Sequence, residues 1–142
     1  MYVVDANVLI YAVNSQAPHH ERARAWLDGA LAGNEGVGFP WAVLLAFLRL
    51  TTSRAVFERP LTADQAIAVI RTWLGSPNAI TIEPGPRHLE SMAALLAAAG
   101  TAGNLVSDAH LAAVAIEGDA VLVSFDTDFA RFAGLRWQQP PE

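Results

Sequence analysis

Short apolar runs of β-type residues alternate with helical periodicity along the whole of this chain, and that alternation restricts the fold more than any other feature. Residues 2–4, 37–39, 79–82 and 120–123 are strand-like, and each gives way to a segment with apolar residues at helical spacing. Strands that alternate with helices pair in parallel, because each connection crosses the sheet and returns the chain in the same direction. Residues 135–137 read as a further edge strand. The expectation is a single α/β domain over residues 1–142, a three-layer α/β/α sandwich around a short parallel sheet of four or five strands. With 142 residues, 53% of them hydrophobic, the chain can bury a core without covalent staples.

The helices carry their own punctuation. Thr62 and Gln65 form a capping box, followed by an apolar face of Ala66, Ile67, Ile70, Trp73 and Leu74 that ends at Gly75 and Pro77. Pro86 opens a helix whose expected core face is Leu89, Met92, Ala93, Leu96 and Ala99, stopped by Gly100, and residues 101–104 read as a flexible approach to the next segment. In residues 20–31, Ala23, Trp26, Leu27, Ala30 and Leu31 face the core, leaving Glu21, Arg22, Arg24 and Asp28 on a solvated face. Residues 41–50 are apolar nearly all round, the pattern of a helix buried on both sides, in the core or against another copy of the chain. Arg49 is the one charge in that segment, and two readings stay open for it, a site residue or half of a structural ion pair.

The absence of Cys excludes a disulfide framework, a thiol nucleophile and a Cys-ligated zinc site, and fits a reducing compartment. The first seven residues already contain an Asp and an Asn, so the N-terminus is not a signal sequence, and no apolar run is long and unbroken enough for a bilayer. A cytoplasmic protein is expected. A net charge of −5 argues against a nonspecific nucleic-acid coat, but not against an enzyme whose carboxylates are neutralised by a metal where phosphate binds. All nine basic residues are Arg, whose planar fork suits bidentate phosphate contacts.

Acids stand where such a sheet builds its sites. Asp5 follows the first strand at once, Asp108 stands at the start of a helix, and Asp126 and Asp128 lie just past residues 120–123. Asp5 alone reads equally well as an N-cap or as a catalytic acid, and Asn7 either caps the same helix or orients Asp5. Asp128 lies close enough to help, although its favourable charge at a helix N-terminus is an adequate account of it. If the first and last core strands are neighbours, Asp5, Asp108 and Asp126 converge. Converging carboxylates raise one another's pKa unless a cation is shared, and an oxygen-only set suits Mg²⁺ or Mn²⁺. Such a cluster activates water against a phosphodiester, so a metal-dependent nuclease is the reading the residues support. His88 and Met92 share a helix face and read as core or rim packing, and a His110–Glu117 metal pair is not supported.

Three blocks, VVDANVLIYA, FPWAVLLAFLRLTT and NLVSDAHLAAVAIEGDAVLVSFDTDFARFAGLRW, resemble the PIN-domain ribonucleases of the VapC type over essentially the whole chain. The resemblance implies an endoribonuclease toxin dependent on Mg²⁺ or Mn²⁺, a cognate VapB-like antitoxin, cellular RNA as substrate and a homodimer. It implies that Asp5, Asp108 and Asp126 are the catalytic and metal-holding acids. Asn7 and Ser124 match the family's polar residues beside the first and last of them, and Arg49, Arg54 and Arg59 are candidates to position RNA.

The chain departs from the family pattern at Ala46, where many members carry a Glu, and no carboxylate lies between Glu35 and Glu58. A PIN-fold module that binds RNA or an antitoxin without cutting is therefore the alternative. A different phosphohydrolase of the aspartyl-phosphate kind would need an acid at position 7, which is Asn, and a Lys, which the chain lacks.

Overall fold

The computed structural model describes residues 1–142. Five strands form one sheet in the order β3-β2-β1-β4-β5: β1 (Tyr2–Val4), β2 (Val37–Pro40), β3 (Ala79–Ile82), β4 (Val121–Val123) and β5 (Arg136–Gln138). Every neighbouring pair is parallel. The helices are α1 (Ala6–Val13), α2 (His20–Ala32), α3 (Trp41–Thr51), α4 (Ala63–Leu74), α5 (His88–Ala99) and α6 (Val106–Glu117). The result is the expected three-layer α/β/α sandwich. The chain builds outward from β1 through β2 to β3, then returns to the other side of β1 with β4 and β5. The strand order therefore reverses between β1 and β4, the place where an open α/β sheet leaves a crevice at its C-terminal edge.

The core follows the apolar pattern. Val3, Val4, Val37, Phe39, Leu122 and Val123 are fully buried in the sheet, and α6 buries an unbroken run from Leu111 to Ala115. Phe47 of α3 meets Trp73 of α4 edge-on at 5.0 Å, while Phe39 of β2 lies nearly parallel to the same indole at 6.2 Å. This aromatic group ties the middle of the sheet to two helices. The Thr62–Gln65 capping box forms reciprocally, with bonds of 3.1 and 2.9 Å.

Several expectations are corrected. α3 is not buried all round: Val43, Leu44 and Phe47 are inside, but Trp41 is 45% and Leu45 58% exposed, so one flank faces outward in the single chain. Leu89 is 77% exposed and Leu95 is the residue of α5 that is buried. Pro86 and Arg87 form a turn, and the helix begins only at His88, which puts Leu89 in an open first turn. Ile67 is also outside, at 38%, because Ala66, Ile70 and Trp73 define a narrower buried stripe on α4. Residues 101–104 are not a plain loop, since Gly103–Leu105 make a 3₁₀ turn that inserts Leu105 into the protein. Arg22 is not solvated: Nη2 donates to the carbonyl of Pro140 at 2.6 Å, and the guanidinium lies 5.2 Å from the Phe125 ring centre, fastening the C-terminal tail across α2.

Truncating Phe47 to Ala removes a fully buried ring that bridges α3 and α4. Urea unfolding should show a loss of about 3–5 kcal/mol, with the denaturant slope unchanged.

Candidate active site

The sheet register creates the site. Val4 is level with Val123, so the next residues, Asp5 and Ser124, leave neighbouring strands side by side. Ser124 Oγ donates to Asp5 Oδ2 at 2.6 Å, and Asn7 Nδ2 donates to the same carboxylate oxygen at 3.2 Å. Asp5 Oδ1 accepts from the amide of Ala6 at 2.7 Å. Asp5 is thus the N-cap of α1 through Oδ1 and the anchor of a side-chain network through Oδ2.

Ser124 is fully buried and acts as a junction. Its Oγ also accepts from the Asp126 amide at 3.0 Å and from Asn7 Nδ2 at 3.1 Å. Asn7 Oδ1 accepts from the Phe125 amide at 3.1 Å, so Asn7 pins the loop after β4 with one end and Asp5 with the other. Asp126 Oδ1 caps the short 3₁₀ helix Thr127–Arg131 by accepting from the Asp128 amide at 2.9 Å. Asp108 sits in the first turn of α6 but caps nothing.

Carboxylate oxygens of Asp108, Asp126 and Asp128 lie within 4.8 Å of one another. Asp128, assigned from the sequence to the helix dipole, thus joins the cluster. Asp5 stands just behind it, with both oxygens already engaged. Burial raises the Asp5 carboxyl above the ordinary value of 3.8, the bonds from Ser124 and Ala6 oppose that, and the charges of Asp108 and Asp126 push it further up. Asp108 is raised by burial first, then by Asp126 and Asp128, with Arg131 pulling the other way. An oxygen-only set in mutual repulsion, containing a carboxylate with no cap to serve, is the donor chemistry that fits a hard divalent cation.

Two of the acids, Asp5 and Asp108, open into a cleft of about 590 Å³ between α3 and α6. Asp5 and Asp108 lie on one side, with Ala46 and Arg49 of α3 and Met92 and His110 facing the same space. Ala46 therefore turns a methyl group toward the acids. Arg49 is exposed and in no ion pair, so the structural alternative for it does not hold within the chain. Arg54 is exposed on the loop after α3, and Arg59 lines a separate small hollow with Asn14 and Phe57.

The PIN domain family matches residues 2–135, and the chain belongs to that family. Ribonuclease VapC37 of Mycobacterium tuberculosis is 52% identical over 141 residues, which cover 99% of this chain and 98% of that protein. Ribonuclease VapC33 of the same organism is 45% identical over 140 residues, covering 99% and 98%. These full-length relatives place the chain in the VapC branch. Two solved structures share the fold: VapBC2 from Rickettsia felis bound to a DNA fragment from their promoter, at a TM-score of 0.72 and 20% identity over 97% of each chain, and Mycobacterium tuberculosis VapC20, described as a Sarcin-Ricin loop cleaving toxin, at 0.68 and 19% over 96% of this chain and 99% of that one.

Asp5 and Asp108 have higher proton affinities in the folded chain than the ordinary value, so their contribution to stability is full below pH 3.8 and is lost as pH rises through the raised values. In chelator at pH 7, Asp108→Asn should therefore be more stable than the parent chain. The difference should shrink as urea titrations are repeated toward pH 4.

Proposed function

We propose that this chain is a metal-dependent endoribonuclease and the toxin of a toxin–antitoxin pair, cleaving cellular RNA such as tRNA or rRNA and thereby inhibiting translation. The observation that carries this reading is the carboxylate cluster at the sheet's crevice, in a chain similar along its whole length to proteins named ribonucleases. Asp108, Asp126 and Asp128 would hold one Mg²⁺ or Mn²⁺, with Asp5 completing the acidic set. The chemistry such an ion supplies is charge neutralisation and polarisation of a phosphodiester oxygen.

The rest is done by the chain's own groups. Ser124, Asn7 and the Ala6 amide fix Asp5, so the negative field is preorganised and does not collapse when RNA arrives. Asp108, raised in proton affinity and capping nothing, is the carboxylate free to take a cation or a proton. Arg49, which lines the same cleft, would hold a backbone phosphate. A VapB-like antitoxin is the expected partner, by likeness to VapC proteins and to neighbours solved as VapBC complexes. A homodimer in the cytoplasm is the expected form, and the exposed Trp41 and Leu45 of α3 are available to such a contact. No helix is long and apolar enough to cross a membrane.

Ala46 favours a second reading, a PIN-fold module that binds RNA or antitoxin without cutting, because α3 brings no carboxylate to the cleft. The two separate in one assay. A mixed tRNA and rRNA pool is incubated with purified, antitoxin-free protein in Mg²⁺, Mn²⁺ or chelator. Cleavage should require metal and fall by more than about 100-fold in Asp108→Asn, beyond the 10- to 100-fold that Ser124→Ala should cost through lost support of Asp5. Mn²⁺ at 100 times its Kd should also stabilise the parent chain by about 2.7 kcal/mol, and Asp108→Asn much less. No cleavage in either metal, with Mn²⁺ still bound, would point to the binding module or to a narrow substrate missing from the pool.

A further inference from the structure

Beside the acids, His110 lines the cleft, and it is tied through His88 to Glu117, a group that none of the preceding chemistry uses. His88, the first residue of α5, has Nδ1 2.7 Å from Glu117 Oε2 and Nε2 2.8 Å from His110 Nδ1. The pair is well shielded, with side-chain exposures of 15% for His88 and 19% for Glu117. Glu117 is therefore linked to His110 only through the ring of His88. The three come from the start of α5 and both ends of α6, so the contact also clamps the two helices.

A hydrogen-bonded chain of this kind has a direction. An ionised carboxylate can only accept, so His88 Nδ1 is the protonated nitrogen. In the neutral ring Nε2 is then the acceptor, and it takes the proton on His110 Nδ1. That leaves His110 Nε2 as a bare lone pair. It has no partner within the chain and is not sealed from solvent, and His110 lines the same cleft as Asp5, Asp108 and Arg49. The tautomer of His110 is thus dictated from Glu117, seven residues further along the same helix.

The geometry points to His110 Nε2 as a substrate-recognition atom, a fixed acceptor that takes a hydrogen bond from a ribose 2′-hydroxyl of RNA lying in the cleft, with His88 and Glu117 as its positioning residues. This rests on the ribonuclease reading for the identity of the polymer. The 2′-hydroxyl is the donor that RNA has and DNA lacks, and an acceptor held in one tautomer distinguishes the two. Arg49 and the acids contact phosphate and cation, which the two polymers share, so they cannot make that distinction.

Two measurements decide it. Long-range ¹H–¹⁵N spectra of the imidazoles at pH 8 should give His110 protonated at Nδ1 and bare at Nε2, and a proton on Nε2 overturns the assignment. Fluorescence anisotropy with random-sequence 20-mer RNA and DNA pools, with Ca²⁺ present to neutralise the acids, should show tighter binding of RNA. In His110→Phe that preference should fall by about 5-fold, the worth of one hydrogen bond, with DNA affinity unchanged. Glu117→Gln, which can donate as well as accept, should lower the preference while keeping the fold. Equal affinity of the parent chain for both pools, or equal weakening of both by His110→Phe, rejects the 2′-hydroxyl contact. Adding Mn²⁺ to the RNA pool reads the nuclease separately. No cutting with a His110-dependent RNA preference would keep the contact without supporting the nuclease, whereas cutting with an unaltered preference in His110→Phe would support the nuclease and reject the contact.

Discussion

The hydrogen bond from Ser124 to Asp5 joins the exits of the two central strands, and the acidic site depends on it. It exists because β1 and β4 pair in the register that sets Val4 against Val123. A slip of one residue would carry Asp5 out of step with Ser124 and break that bond, so the site depends on the same register that pairs the buried strands. The bond also changes what burial costs. A recessed carboxylate held by a hydroxyl, an amide and an Asn side chain keeps hydrogen bonds in place of the water it lost. The remaining repulsion from Asp108 and Asp126 is left for a cation to relieve.

Most of this was legible because the fold is built from local patterns. The strands at residues 2–4 and 79–82 stand where apolar runs predicted them, and Asp5, Asp108 and Asp126 lie at strand exits or helix starts, positions the alternation itself marks. What was not legible depends on contacts between distant residues or on helix phase. Arg22 looked solvated because its partner, the carbonyl of Pro140, lies 118 residues away in the tail. His88 and His110 are joined across two helices, and neither carries a spacing signal that a single helix would leave. Leu89 failed as a core residue because the helix starts two residues after Pro86, at His88, leaving it in the first turn. Asp128 was ambiguous for another reason: a carboxylate in the first turn of a helix looks the same in sequence whether or not other acids stand beside it.

The acidic chain also sorts its arginines by use. Arg24, Arg131 and Arg136 are paired with Asp28, Asp128 and Asp119, and Arg22 is spent on the tail. Arg49 and Arg54, on α3 and the loop after it, carry no such partner. Net charge therefore misstates the local field: a chain at −5 overall still presents the unpaired guanidinium of Arg49 in its cleft. Attraction of a polyanion would come from this edge, and the acids beyond it would admit phosphate only with a cation between them.

That separation gives Ala46 a physical meaning. With a carboxylate on α3, a cation would sit between two walls of the cleft and be held from both. With Ala46 there, the acids come from the strand exits, α6 and the short helix after β4, and α3 offers a methyl group and Arg49. A cation would then be drawn toward Asp108, Asp126 and Asp128, and the space under α3 would be left to the substrate's phosphate, with Arg49 at its rim. Three carboxylates suffice for one Mg²⁺ that keeps several waters, and the exposed Asp128 supplies the third without burying a further charge. The absence of an acid on α3 would thus shift the site toward one cation and one arginine, an arrangement in which phosphate binding would depend more on Arg49 than with carboxylates on both walls.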